Sequence, residues 1–270
     1  MTAQPGTGTT WDAGGFNDID SRLVERGGLQ AVCVRDYRGA DTDISPFDTD
    51  TTTVTWSPFA ADGQLRADLF ARKKVDGIWV ENTDPNEGWY YIGAQTEKGG
   101  AERNPNVKAD DLMVLQSPFP MDSDIITKGK TVKFTAVQTA DPLIHRLEND
   151  LRLQDENGLN LVPDMGGLDY GVGSKADIDT VERQLLLVYA KRKAGKFMYR
   201  VEGYPLVKYD AQARKTRSKT DPDTAELTYK VLPDPFFMIP DPDGAVDLVP
   251  GIDWVWYGGD GWFDLAPAGS

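Results

Sequence analysis

Residues 225–231 read AELTYKV, and every second residue of this stretch is apolar: Ala225, Leu227, Tyr229 and Val231. Successive side chains of a β-strand point to opposite faces of the sheet, so a period of two predicts a strand with one packed and one wet face. The stretches 131–138 and 197–202 alternate in the same way. Because this period dominates the chain, we predict a mainly β protein.

Shorter apolar runs predict further strands at 29–35, 52–56, 65–73, 78–81, 89–93 and 185–191. Turn-forming residues lie between the predicted strands, at Asp76-Gly77, Asp84-Pro85-Asn86, Lys128-Gly129 and Ala194-Gly195. Short strands separated by frequent turns are typical of an antiparallel β-sandwich or barrel.

One α-helix is indicated clearly, directly after Asp141. This aspartate is a preferred N-cap residue, and Pro142 suits the first helical position. The residues that follow place one apolar stripe on the helix: Leu143, Ile144, Leu147 and Leu151. A second helix is predicted over 174–182, before the strand at 185–191.

The composition changes at Pro233 and divides the chain into three predicted parts. Residues 233–270 contain seven aspartates and no lysine, arginine or histidine, and they are rich in proline, glycine and aromatic residues. Such a segment is too interrupted by proline to build its own core. We therefore predict an N-terminal arm over 1–28, a β-sandwich domain over 29–232, and an acidic aromatic C-terminal arm over 233–270 that packs on its own body or on a neighbour.

The composition also excludes several classes of protein. The net charge of −14 opposes nucleic-acid binding through the average surface. A single cysteine forbids an intramolecular disulfide, and no apolar run approaches the ~20 residues that span a bilayer. The first ten residues lack the charged and apolar regions of a signal peptide. We expect a soluble protein made in a reducing cytoplasm.

No motif for catalysis, cofactor binding or metal binding emerges from the sequence. His145 is the only histidine and Cys33 the only cysteine, so a histidine-based zinc site cannot be assembled. Cys33 lies in an apolar run and is predicted to be a buried, inert thiol. The aspartate clusters do not match a calcium loop, and the stretch 171–175 lacks the ending of a phosphate loop. We therefore predict that the protein is not an enzyme.

A longer pattern over residues 89–151 combines strands, turns and the helix. It runs through WYYIG at 89–93, NP at 104–105, KADD at 108–111, QSPFP at 116–120, GKTVKFTA at 129–136 and DPL at 141–143. This pattern resembles the central part of siphophage major tail proteins, particularly those from phages of actinobacteria. The later stretches 183–191, 197–208 and 225–235 are similar to the closing strands of that fold.

The resemblance implies a β-sandwich of the phage tail tube type, with one flanking α-helix. Subunits of that family join strands into hexameric rings, and the rings stack into a tube through which double-stranded DNA passes without sticking. The resemblance therefore implies a virion tail protein assembled in the host cytoplasm. Its partners would be copies of itself and other tail proteins, such as the tape measure, the terminator and the tail tip, with no cofactor and no membrane.

Two segments are candidates for contacts between stacked rings. The first is a basic stretch with Lys208, Arg214, Lys215, Arg217 and Lys219, and the second is the aromatic part of the C-terminal arm with Phe236, Phe237, Trp254, Trp256 and Trp262. Buried aromatics would supply most of the binding energy and the charges would set the register. On this hypothesis, trimming the chain at Pro233 leaves a folded subunit that no longer polymerises.

Other functions stay open on the sequence alone. Seven tryptophans fit a carbohydrate-binding or adhesin β-sandwich, in which exposed aromatics stack on sugars. A hydrolase with paired carboxylates is a further alternative, although abundant acidic residues make the pairing uninformative. A tail terminator, tail tip or head–tail connector protein would also fit.

Overall fold

A computed structural model describes residues 28–48, 52–96, 100–112, 119, 121–164, 166, 170–174, 176, 179–193, 195–212, 220, 222–244 and 247–266. It shows a mainly β protein with antiparallel sheets, as the alternating sequence predicts. Within these residues, no helix has the length and apolar character needed to cross a membrane.

The strands are β1 (Leu29–Asp36), β2 (Arg72–Val75), β3 (Ile78–Glu81), β4 (Tyr90–Tyr91), β5 (Glu102–Leu112), β6 (Asp122–Ala136), β7 (Glu182–Lys193), β8 (Lys196–Gln212), β9 (Ala225–Val231), β10 (Met238–Pro240), β11 (Leu248–Pro250) and β12 (Trp254–Gly258). The α-helices are α1 (Pro142–Glu148) and α2 (Asp260–Phe263), and short 3-10 turns occupy Gly39–Thr42 and Ala67–Leu69.

Eight strands form one antiparallel sheet in the order β4-β1-β7-β8-β9-β6-β5, with β12 also paired to β8. Strand β8 is 17 residues long and changes neighbours along its length. Its residues 199–203 pair with β12, and residues 207–212 pair with β9. The ribbons β2–β3 and β10–β11 lie outside this sheet. The long β8 therefore connects the C-terminal segment to the rest of the sheet.

Two apolar cores lie on opposite sides of the strands β1, β7 and β8. The first core packs these strands against β6, β9 and α1, and it includes Val34, Leu185, Phe134, Tyr229 and Leu143. The second core includes Cys33, Leu186, Trp56, Trp89, Phe237 and Trp256. Strand β7 supplies both cores with alternate residues. This accounts for its Leu-Leu-Leu-Val run, because a strand covered on both faces needs no polar alternation.

Helix α1 forms where the capping pattern predicts it. The Asp141 carboxylate accepts a hydrogen bond from the Leu143 amide at 2.9 Å, and Pro142 occupies the first turn. The prediction of a second helix over 174–182 is wrong, because the described residues of that range are not helical and β7 begins at Glu182.

Several predicted element boundaries also need correction. The Lys128-Gly129 pair is not a turn, since both residues lie inside the 15-residue strand β6. Residues 52–56 form only an isolated bridge, between Val54 and Phe47. The stretch 65–73 contains a 3-10 turn before β2 begins at Arg72. Strand β5 is absent from the predictions because its charged residues and Pro105 hide the alternating pattern.

The close packing of β12 on β8 depends on Gly203. A Cβ atom at this position would lie 2.5 Å from the Trp256 ring and 3.3 Å from Leu186. We expect Gly203→Ala to lower the free energy of unfolding by about 1–3 kcal/mol, because the second core would have to expand. Urea denaturation measures the change. Gly129→Ala is the matched control, since its nearest neighbouring atom is 3.9 Å away. Equal stability of the two variants would contradict the packing described here.

Candidate assembly surfaces and the buried charges beneath them

Strands β5 and β6 continue as a two-stranded arm after the rest of the sheet has ended. Strand β6 pairs with β9 only over residues 130–136, whereas its ladder with β5 extends to the pair Leu112–Asp122. We define the arm as residues 106–112 and 122–129. At ~3.3 Å per residue, the seven residues of its β5 side span about 23 Å. The arm therefore projects well beyond the sheet that supports its base.

The two faces of the arm differ in character. Strand alternation and the ladder register place Val107, Ala109 and Ile125 on one face together with the polar residue Ser123, and we call it the apolar face after its three apolar residues. Val107 is 55 % exposed and Ile125 is 65 % exposed. Since an isolated two-stranded ribbon is at best marginally stable in water, the arm has more to gain from contact with a partner than a packed strand has.

The opposite face of the arm, which we call the charged face, carries Asp110, Asp122 and Asp124 together with Lys108. Asp110 lies directly across the ladder from Asp124, and Asp122 lies two residues further along β6. These aspartates are exposed. Like charges directly opposite one another destabilise a strand pair. A cationic partner would relieve this repulsion.

A cavity of about 370 Å³ opens beside the base of the arm, and we call it the base cavity. Strands β5, β7 and β8 line it, with contributions from Ala101, Arg103, Tyr189, Lys191, Arg200 and Glu202. Three of these side chains are cationic and one is a carboxylate. The described lining of the base cavity therefore carries charges of both signs.

Glu202 organises the cationic wall of the base cavity. Its side chain is only 2 % exposed and lies 3.2 Å from Arg103 Nη1 and 2.8 Å from Arg200 Nη2. The Tyr204 hydroxyl donates a hydrogen bond to the same carboxylate at 3.1 Å. Burial, with a smaller contribution from Glu202, raises the pKa of Tyr189 to about 12. One buried carboxylate thus orients two guanidinium groups at the wall of the cavity.

A second group of charges lies within the first core and joins the sheet to the segment after α1. Arg183 Nη1 donates to Asp36 Oδ1 at 2.6 Å, and Arg183 is fully buried. Asp36 Oδ2 accepts the backbone N–H groups of Leu153 and Gln154. Sequence reasoning missed this pair. The available signal was a charged residue in each of two apolar strands.

A third buried charge, Arg35, stabilises the loops over the second core. Its guanidinium donates to Gln184 Oε1 at 2.6 Å and to the Thr42 carbonyl at 2.7 Å. It also lies 4.5 Å above the Trp89 ring. Burial lowers the pKa of Arg35 to about 9. Buried arginines that are paired in this way organise the packing around them.

The structure corrects the interface prediction for two aromatic residues. Phe237 is fully buried and Trp256 is nearly so, and both belong to the second core of their own subunit. They are therefore not part of the surface that a neighbour could contact. The physical reason is that β12 hydrogen-bonds along β8 and directs Trp256 inward over Gly203.

The other predicted aromatics lie at or near the surface. Phe236 and Trp262 are exposed, and Trp254 is partly buried with its ring edge-on to Phe47. Trp262 stacks on Tyr257 with 4.4 Å between ring centroids. These three predicted residues therefore remain available for a contact between subunits.

Of the basic stretch, the structure describes only the beginning. Lys208 lies in β8 and pairs with Glu182 at 2.9 Å, where both side chains are about two-fifths exposed. The four other predicted basic residues lie outside the described residues: Arg214, Lys215, Arg217 and Lys219.

The C-terminal segment is anchored to its own body where it begins. The Tyr37 hydroxyl donates to Asp234 Oδ1 at 2.7 Å. The Ser45 hydroxyl donates to the Phe236 carbonyl and accepts the Met238 amide at 2.9 Å. The sequence analysis left open whether the C-terminal segment packs on its own body or on a neighbour. The described part of the segment packs on its own body.

Cys33 and His145 are the only cysteine and histidine of the sequence, and both contact other residues of the fold. Cys33 is buried in the second core as predicted, and burial raises the pKa of its thiol to about 12. The His145 ring lies at the edge of α1, with Nδ1 3.2 Å from the Tyr170 hydroxyl. The thiol is therefore protonated at neutral pH and unsuited to nucleophilic attack.

Comparison with known proteins assigns no family. No protein-family model matches this chain, and no curated protein matches it.

Proposed function

We propose that this protein is a structural subunit that self-assembles into stacked rings and forms the tail tube of a bacteriophage. The observation that carries the proposal is the β5–β6 arm, which is about 23 Å long, extends past the last pairing of β6 with β9, and exposes Val107 and Ile125 on one face. The resemblance of residues 89–151 to siphophage major tail proteins supplies the biological context.

The position of the arm suits repeated contact between copies. Among the described strands, β5 is the last of the main sheet, so its outer edge offers backbone groups for strand addition. The arm projects from one end of the subunit, so the surface that receives it must lie elsewhere on a second copy. Contacts between two different surfaces propagate, and they close into rings or continue as filaments.

The overall charge suits a conduit for DNA. A chain with 43 acidic and 29 basic residues repels phosphates on average, so DNA would slide past an acidic lumen without binding. The same charge opposes close packing of identical subunits unless local charges complement one another. Assembly would therefore need local patches of opposite charge at the contacts between subunits.

The alternative of carbohydrate binding has less support from the placement of the tryptophans. Trp56, Trp89 and Trp256 are buried in the second core, so they cannot stack on a sugar. In the exposed pair of Tyr257 and Trp262, each ring stacks one of its two faces on the other ring.

The proposal predicts that assembly depends on the apolar face of the arm. We expect Ile125→Asp to raise the concentration needed for assembly by about 10- to 100-fold, since each contact would lose the burial of an isoleucine, worth roughly 1.5–3 kcal/mol. Negative-stain electron microscopy and sedimentation velocity across a concentration series measure the change. The wild-type chain is expected to form rings or hollow tubes.

Ile78→Asp is the matched control, because Ile78 in β3 is 58 % exposed and lies off the arm. It should assemble like the wild type. A wild-type chain that stays monomeric throughout the series contradicts the proposal, as does an Ile125→Asp chain that assembles normally.

A further inference from the structure

We propose that Lys130 and Asp253 form an intramolecular isopeptide bond, which is an amide between the two side chains. The bond joins β6 covalently to the residue that precedes β12. It is a property of the folded subunit and does not depend on assembly.

The two side chains are in direct contact. Lys130 Nζ donates a hydrogen bond to Asp253 Oδ2, and the two groups form an ion pair. The two residues are 123 positions apart in the sequence, so only the folded chain brings them together.

Paired strands fix the positions of both residues. Lys130 lies where β6 pairs with both β5 and β9. Asp253 lies between Ile252, which packs on the first core, and Trp254, which begins β12. Groups that a structure holds in a reactive orientation can reach effective molarities of about 10⁵–10⁸ M. The fold therefore supplies the proximity that two free side chains in water lack.

The pair lies at the edge of the first core. Strand alternation places Lys130 on the same face of β6 as Val132 and Phe134, which belong to that core. Lys130 Nζ also lies 5.9 Å from the centre of the fully buried Tyr204 ring. Taking two charges out of water costs free energy, whereas a neutral amide avoids this cost. Partial burial therefore favours the amide over the ion pair.

Other lysine–carboxylate pairs of the described residues are more exposed to water. The side chains of Lys130 and Asp253 are 24 % and 29 % exposed, and no other such pair in this part of the chain is as buried. The Lys196–Asp264 pair also joins the sheet to the C-terminal segment, but both of its side chains are 49 % exposed. It is an internal control of the same two residue types, which we expect to remain an ion pair.

The reaction needs only the two side chains. The Lys130 ammonium transfers one proton to the Asp253 carboxylate along their hydrogen bond, which gives a neutral amine and a carboxylic acid. The amine nitrogen then attacks Asp253 Cγ, so that a C–N bond forms and a C–O bond breaks. The departing hydroxyl takes one proton from the nitrogen and leaves as water. No oxidant, reductant or cofactor enters the balance.

The bond would give this chain a covalent link that its cysteine content does not allow. A single cysteine cannot form an intramolecular disulfide. An amide is not cleaved by thiols, so the link persists under reducing conditions. Closing the loop from residue 130 to residue 253 restricts the unfolded chain and keeps the C-terminal segment attached to β6.

Mass spectrometry of the full chain tests the bond. The denatured wild-type protein is expected to be lighter than its calculated mass by one water molecule. Trypsin does not cleave after a modified lysine, so digestion should release residues 129–133 joined to residues 231–270. No product that joins Lys196 to Asp264 is expected.

Two arginine variants separate the proposed bond from other losses of water. Lys130→Arg keeps a cation beside Asp253 but removes the amine, so this variant should have its full calculated mass. Lys196→Arg is the matched control and should keep both the water loss and the linked product. If Lys130→Arg does not fold, Asp253→Ala removes the other partner and should also have its full calculated mass.

Three results would overturn the bond. The first is a wild-type chain with its full calculated mass, both when freshly purified and after prolonged incubation in the folded state. The second is a loss of water without the linked product, because cyclisation of an aspartate would account for it. The third is a loss of water that persists in Lys130→Arg. Each result leaves the proposed self-assembly standing, since assembly does not require this bond.

Discussion

Deleting residues 233–270 is expected to unfold the subunit, and not to leave a folded subunit that fails to polymerise. The deletion removes β12 from β8 and takes Phe237 and Trp256 out of the second core. Truncating a buried phenylalanine or tryptophan to alanine costs about 3–5 kcal/mol each. Two such losses approach the whole stability of a typical domain, about 5–15 kcal/mol. Circular dichroism and the soluble yield of the truncated chain measure the outcome.

A chain ending at Ala266 is the matched control, because it keeps every described residue of the C-terminal segment. It should fold like the full-length chain. Full-length Trp256→Ala should lower the free energy of unfolding by about 3–5 kcal/mol without abolishing folding. A chain truncated at Leu232 that unfolds cooperatively at the wild-type temperature would show that the second core does not need these side chains.

Replacing Arg183 with alanine is expected to lower the free energy of unfolding by about 3–5 kcal/mol, because it leaves the Asp36 carboxylate buried without its cation. The cost is large since Arg183 is fully buried and also donates to the Leu151 carbonyl at 2.7 Å. Guanidinium chloride denaturation measures the change.

Lys208→Ala is the matched control for this variant. It breaks the Lys208–Glu182 pair between β8 and β7, next to Arg183, where both side chains are substantially exposed. Surface ion pairs of this kind contribute about 0–1 kcal/mol. If Arg183→Ala and Lys208→Ala proved equally mild, the Asp36–Arg183 pair would not be the element that joins the sheet to the segment after α1.

The two buried arginines show how far sequence reasoning could reach. Arg35 lies in the strand predicted over 29–35, where a charge is a visible anomaly, whereas Arg183 lies two residues before the strand predicted over 185–191. Their partners were not predictable, since Asp36 and Arg183 are 147 positions apart and meet only because β1 pairs with β7. Arg35 was therefore identifiable as a charge in an apolar strand, whereas the Asp36–Arg183 pair was not.

The arm is a part of the fold that the sequence pattern did not predict. Its strand β5 contains charges and Pro105, so alternation fails, and the Lys128-Gly129 pair suggests a turn that the structure does not contain. A strand that is exposed on both faces has no packed side to impose a period of two. The feature that carries the proposed function was thus the least visible in the sequence.

Local patterns in the sequence by themselves determined the mainly β class, strands β3 and β9 with their bounds, and helix α1 with its Asp141 cap. These features depend on residues a few positions apart, whose periodicity and capping chemistry are written in the chain. Only the tertiary structure decided that Phe237 and Trp256 are core residues, that β5 and β6 project as an arm, and that Glu202 pairs with Arg103 and Arg200. Those outcomes depend on which distant strands become neighbours. Alternating apolar residues predict that one face of a strand is buried, but they do not identify the residues that pack against it.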